Sequence, residues 1–197
     1  IDRQAITEVQ KIIRDQFPDA SEIEEILSLP DKLKNPLKYR FRSILFVADN
    51  QQGNITGFGL VHHEPVLGFT FLDYLSVAPR LSSRGIGGAL YQRIREEAIQ
   101  LRSECIAYEC LPDDTRLCNH PKLLIQNRSR LRFYEQFGAF PVINTRYETP
   151  LQEGDDCPPY LVIDILTLKK PPSSAWTRQM VQAILERKYG HRCPPGY

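Results

Sequence analysis

The chain has 197 residues, 42% hydrophobic and 25% charged, enough apolar material for one domain with a sizeable core. Its 25 Lys plus Arg against 24 Asp plus Glu leave a net charge of +1, so there is no broad electrostatic footprint for nucleic acid or an anionic membrane. No apolar run approaches the ~18 to 20 residues of a membrane span and no signal-peptide pattern opens the chain, so a soluble, cytoplasmic protein with a small-molecule or protein partner is expected.

The chain starts at Ile1 rather than Met and enters a helix pattern at once, which reads as a piece of something longer with a first strand missing upstream. Ile6, Val9, Ile13 and Phe17 fall on one helical face. Ser21 and Glu24 make a capping box ahead of Ile23, Ile26 and Leu27, predicting a second helix that ends near Pro30. ILFVA (44–48), NITGFGLV (54–61) and FTFLDYLSV (69–77) are β-rich runs separated by the turn-prone DNQQG and HEPVLG, the pattern of an antiparallel meander. From Ile86 the apolar residues Leu90, Ile94, Ala98 and Leu101 recur every three or four positions, so a long amphipathic helix starts inside a glycine cluster. CIAYECL (105–111) is a strand, and the proline-punctuated stretch from Pro112 to Gln126 reads as a long connection or lid. A short helix with Leu131, Tyr134 and Phe137 inward follows, then FPVINTRYE and YLVIDILTL as a final strand pair, then a helix from Ser173 to Gly190. A mixed α/β architecture results, divided as a domain over 1–168 and a helical tail or linker over 169–197 after the KKPPSS run.

Five cysteines, Cys105, Cys110, Cys118, Cys157 and Cys193, are odd in number and form no CxxC pair, which argues against a disulfide framework and a zinc knuckle. Reduced thiols and no bound metal are expected; Cys118 near His120 lacks the paired spacing of a tetrahedral site.

The glycine cluster Arg84-Gly85-Ile86-Gly87-Gly88 sits between a strand and a helix. Such a turn exposes amide N–H groups at the positive end of the helix dipole, a ready site for phosphate. It is not a P-loop, which needs Lys-Ser/Thr after its last glycine, nor a dinucleotide fingerprint, which needs a third glycine where Leu90 stands. A second motif lies downstream, NRSRLRFYEQFGAF from Asn127 to Phe140, where Asn127 and Tyr134 share a helix face two turns apart.

The two motifs, SVAP…SSRGIGGAL and NRSRLRFYEQFGAF, in this order and separation, resemble the GNAT superfamily of acetyl-CoA-dependent N-acetyltransferases. The resemblance covers most of the chain. It implies an α/β (α+β) GNAT fold: a mixed, mostly antiparallel twisted sheet flanked by helices, with splayed strands forming the acetyl-CoA cleft. It also implies acetyl-CoA as co-substrate and transfer of acetyl to a primary amine of a small, polyamine-like molecule or a protein lysine. The family's phosphate-loop pattern, Gln/Arg-x-x-Gly-x-Gly/Ala, is matched by Ser82-Ser83-Arg84-Gly85-Ile86-Gly87, with Ser82 departing from it and Arg84 compensating. Ser83, Arg84, Gly85, Ile86, Gly87 and Gly88 are thereby implied to hold the pyrophosphate. Leu75, Ser76 and Val77 are implied to pair by their backbone with the pantetheine arm, as an added strand would. Asn127 is implied to reach the same arm, and Tyr134 to bind there and protonate the departing thiolate as general acid.

An amine with a pKa near ~10.4 is only about one part in a thousand neutral at pH 7, so the chemistry also needs a base. Asp73 and Glu109, carboxylates within β-rich runs, are the candidates. His62 and His63, read as lying at a hairpin turn, are candidates for acting through water or for touching the acceptor. The acidic loop with Glu148, Glu153, Asp155 and Asp156 points to a cationic acceptor, and His120 to a substrate wall. The C-terminal AILERKYGHRCPPGY resembles a helix running into a junction with a further domain of the same polypeptide. Two other activities fit the same motifs: an acyl-thioester decarboxylase that loads a carrier protein, and a non-catalytic acyl-CoA-binding domain.

Overall fold

The computed structural model describes residues 2–17, 26–50, 52–81, 84–143, 145, 147, 157–168 and 170–189. The elements run α1 (Arg3–Gln16), α2 (Leu29–Lys34), α3 (Pro36–Tyr39), β1 (Arg42–Asp49), β2 (Ile55–Glu64), β3 (Phe69–Val77), a 3-10 turn (Pro79–Leu81) and α4 (Ile86–Gln100). They continue with β4 (Cys105–Cys110), α5 (Pro121–Glu135), β5 (Phe140–Pro141), β6 (Tyr160–Ile165) and α6 (Ser174–Lys188). The strands belong to one sheet in the order β1-β2-β3-β4-β6-β5, with β1/β2, β4/β6 and β5/β6 antiparallel. The mixed α/β class and the helix-flanked, mostly antiparallel sheet are as the motifs implied. By internal contacts the chain divides into two compact units, Ile1–Glu64 with Leu72–Glu97, and Pro65–Phe71 with Ala98–Tyr197.

In the first unit, α1 opens on Asp2, whose carboxylate accepts from the Gln4 and Ala5 amides and so satisfies two of the donors a helix start leaves over. Its apolar face, Ile6, Val9 and Ile13, is buried in a cluster with Ile26, Leu29, Phe58, Leu60 and Tyr74. The capping box at Ser21 and Glu24, with Ile23, lies outside the described residues. Pro30 does not end a helix; it sits in the first turn of α2, where its missing N–H costs nothing. Leu27, counted with the apolar set, is exposed.

β1 and β2 are paired from Arg42↔His63 and Ile44↔Val61 to Asp49↔Ile55, with a register shift at Ala48/Asp49. β2 therefore outruns the expected strand by three residues, and Gly57 to Glu64 are all buried. Gly57 has a packing reason: a Cβ there would lie 2.9 Å from the backbone oxygen of Ser76. α4 lays Leu90, Tyr91 and Ile94 into the core, as its periodicity predicted.

In the second unit, β4 lies beside β6 in the register Cys105↔Ile165 to Cys110↔Tyr160. Among the described residues of the expected strand FPVINTRYE, Phe140–Pro141 pair with β6 at the edge of the sheet, where the missing N–H of Pro141 is tolerated. The expected long connection shortens, since α5 begins at Pro121 and absorbs its second half. Cys118 and Cys157 are disulfide-bonded with Cα atoms 4.7 Å apart, which corrects the expectation of reduced thiols at those two positions. Odd count and absent CxxC spacing carried no information about a pair 39 residues apart. α6 is capped by Ser173 and buries Met180, Ala183 and Ile184; its Trp176 Nε1–H donates to the Leu67 carbonyl at 3.1 Å. Among the described residues no helix is long and apolar enough to cross a membrane.

Candidate active site

Gly85 takes φ +77°, the left-handed region that a side chain would strain, and so turns the chain into α4. The first intrahelical bond is Ala89 N–H to the Gly85 carbonyl at 2.9 Å, so the amides of Gly85, Ile86, Gly87 and Gly88 have no partner within the helix. Nothing lies within 4 Å of a Cβ built on Gly88, and only Val77 Cγ2, at 3.5 Å, near one built on Gly87. Amides without intrahelical partners on bare backbone at the positive end of a helix are the kind of group that can hold a phosphate. Arg84 is exposed beside them, whereas Ser82 and Ser83 lie outside the described residues.

β3 leads into this turn. Ser76 Oγ donates to Gln16 Oε1, which ties the strand to the end of α1, and the Ala78 amide donates to the Thr56 carbonyl at 2.8 Å. Leu75 and Val77 are half-buried on either side of the buried Ser76.

Upstream on the same strand, Asp73 Oδ2 lies 3.0 Å from Nε2 of His62, and both side chains are buried. Neither His62 nor His63 is in a surface turn: both belong to β2 and are 4% exposed, because β1 pairs with β2 down to Arg42. Nδ1 of His62 is 2.9 Å from Ser43 Oγ, and the ring of Phe41 stacks on it at 5.6 Å. Asp73 also lines a small cavity with Ile13, Leu29, Lys32, Leu60 and Tyr74. Ser43 and Phe41 were not singled out in the sequence; the strand register Ser43↔His62 reveals the first and the ring stacking on His62 the second.

In the second unit, Tyr134 is buried on α5, its ring 4.3 Å from that of Tyr108. Burial, with Cys110 nearby, pushes its phenol above the ordinary range, so it stays protonated. Asn127 is 2% exposed, and its Nδ2–H donates to the Pro112 carbonyl at 2.8 Å, fixing the chain where it leaves β4. Glu109 is clasped by two phenols: Tyr147 donates to Oε1, and Tyr189, at the end of α6, donates to Oε2 at 2.6 Å. His120 is exposed at the N-cap of α5 with no capping bond from its side chain. Burial pushes the Cys105 and Cys110 thiols up to about 12. Asp155 and Asp156, with Glu148 and Glu153, lie outside the described residues.

The glycine turn of the first unit and the Asn127/Tyr134 helix of the second carry the two motifs noted in the sequence, on a mixed α/β fold. Residues 41–138 match the family model described as an acetyltransferase (GNAT) domain. The chain belongs to the GNAT superfamily, whose chemistry is acyl transfer from acetyl-CoA. No curated protein matches significantly. Among solved structures it is similar to an aminoglycoside 6'-N-acetyltransferase complexed with coenzyme A, at 16% identity and TM-score 0.64, over 87% of this chain and 97% of the other. The aminoglycoside 6'-N-acetyltransferase of Enterococcus faecium is similar at 16% and 0.63, over 87% and 97%. A GNAT acetyltransferase of Staphylococcus aureus is similar at 14% and 0.59, over 85% and 96%. At these identities the likeness shows the fold.

Proposed function

We propose that the protein transfers the acetyl group of acetyl-CoA to a primary amine by direct attack within a ternary complex. The observation that carries this reading is the buried contact of Asp73 with His62, on the strand that leads into the phosphate turn. A carboxylate on that strand is a proton acceptor for an amine substrate, whose ammonium proton must leave before the nitrogen attacks. Asp73 receives that proton, and His62, donating from Nε2, stabilises the carboxylate that receives it.

The amides of Gly85 to Gly88, with Arg84, hold the pyrophosphate, and the backbone of Leu75 to Val77 pairs with the pantetheine arm. When bound, acetyl-CoA supplies the activated acyl group. Tyr134, kept protonated by burial, donates to the departing thiolate, and Asn127 positions the chain around it. The buried Cys105 and Cys110 thiols, at about 12, are poor nucleophiles at neutral pH, which supports direct attack over a cysteine acyl-enzyme. Acceptors are small polyamine-like amines or a protein lysine.

Thiol release from acetyl-CoA across polyamines, aminoglycosides, amino acids and lysine peptides tests the proposal, with malonyl-CoA alongside. Amine-dependent release is expected. Carbon dioxide release from malonyl-CoA without any amine, or coenzyme binding with no turnover on any amine, would overturn it.

A further inference from the structure

Three neighbouring strands of the first unit place Ser43, His62 and Asp73 side by side. Ser43 faces His62 directly across the β1/β2 ladder, and the contacts run Ser43 Oγ to Nδ1 at 2.9 Å and Nε2 to Asp73 Oδ2 at 3.0 Å. Ser43 is 8% exposed, His62 4%, and Phe41 stacks on the imidazole, so the ring has little freedom to turn. We infer that Ser43 is a positioning residue for acetyl transfer: its hydroxyl donates to Nδ1 and so holds His62 in the Nε2–H tautomer that donates to Asp73.

A neutral imidazole has one donor and one acceptor nitrogen, and the bond made by one fixes the role of the other. With Ser43 donating to Nδ1, the proton sits on Nε2 and points at the carboxylate. In the opposite tautomer the Nε2 lone pair would face Asp73, which would then hold a proton between them and be unable to take one from the amine. During reaction the ammonium N–H bond breaks, the electron pair stays on nitrogen for attack, and the proton bonds to the Asp73 carboxylate. Ser43 and His62 keep their protons throughout. Among the described residues, titratable or charged groups near the pair include Lys32 of α2 on the cavity wall, Arg42 of β1, and His63 and Glu64 on β2.

This inference rests on Asp73 being the proton acceptor proposed above, and the test separates the two. Nitrogen NMR of His62 reports the tautomer directly, and kcat/KM against pH reports the base, in the wild type, Ser43→Ala and Ser43→Thr. The wild type is expected to show the Nε2–H tautomer. Ser43→Ala should mix the tautomers, lower kcat/KM about tenfold and move its acid limb to higher pH, because a carboxylate that loses its donor binds protons more tightly; Ser43→Thr should restore all three. An Nδ1–H tautomer or an imidazolium in the wild type, or a tautomer unmoved in Ser43→Ala, would overturn the inference. A tautomer that changes while rate and limb stay put would instead overturn the role of Asp73 as base.

Discussion

The rings of Tyr134 and Tyr108 lie 4.3 Å apart between centroids, their planes inclined by 39°, and both residues are buried in the second unit. This packing keeps the Tyr134 phenol out of water and protonated. Tyr134→Phe preserves the ring contact and removes only the proton. Its kcat is expected to fall by ~10² with the KM for acetyl-CoA little changed. Since an acid must be protonated to act and burial raises this one, kcat in the wild type should show no loss from its ionisation up to about pH 10. Full activity in Tyr134→Phe would make Tyr134 a packing residue.

Gly87 does not need to be glycine for the backbone, and a Cβ there meets Val77 Cγ2 at an ordinary 3.5 Å. Gly87→Glu should therefore fold, while placing a carboxylate among the amides of the α4 start. Loss of measurable acetyl-CoA binding by calorimetry is expected, with an unchanged far-UV circular dichroism spectrum. A folded variant with wild-type affinity would remove the phosphate role from this turn.

The two carboxylates read in the sequence as candidate bases separate by environment. Asp73 Oδ2 contacts His62 and the residue lines a small cavity, while both oxygens of Glu109 accept from the phenols of Tyr147 and Tyr189. Asp73→Asn is expected to lower kcat/KM by ~10² to 10³ at unchanged acetyl-CoA affinity. Glu109→Gln should lower stability by about 1 kcal/mol, through its grip on the end of α6, and leave turnover within a few-fold. Thermal denaturation and steady-state kinetics of the pair check this, and the reverse pattern would make Glu109 the base.

What the sequence disclosed and what it hid have different physical origins. α4 and the run 69–77 were legible because periodicity and β-branched content report which side faces a core, and the glycine turn because left-handed backbone at Gly85 calls for that residue. Pairing partners leave no such local trace. His62 and His63 read as turn residues because HEPVLG follows, yet the ladder with Arg42 and Ser43 draws them into β2. Pro30 and Pro121 read as breaks, but at a first helical turn proline is favoured, and only the backbone distinguishes the two cases. The Ser43 contact and the tyrosine clasp on Glu109 join residues far apart in the chain and depend wholly on the fold.

The cysteines give a prediction independent of catalysis. Cys118 stands in the connection between β4 and α5 and Cys157 just before β6, so their bond closes a loop of 39 residues. By the chain-entropy argument, opening such a loop destabilises the fold by about 4 kcal/mol, since the unfolded chain regains the freedom the bond removes. Reduction with dithiothreitol, or Cys118→Ala with Cys157→Ala, is expected to lower the unfolding midpoint by roughly 10 °C. Cys105 and Cys110, buried and held near 12, should resist iodoacetamide at pH 8 in the folded protein and react in urea. Peptide mass spectrometry distinguishes these pairs. Rapid alkylation of Cys118 without prior reduction, together with a midpoint indifferent to dithiothreitol, would show that the bond does not hold the loop in solution.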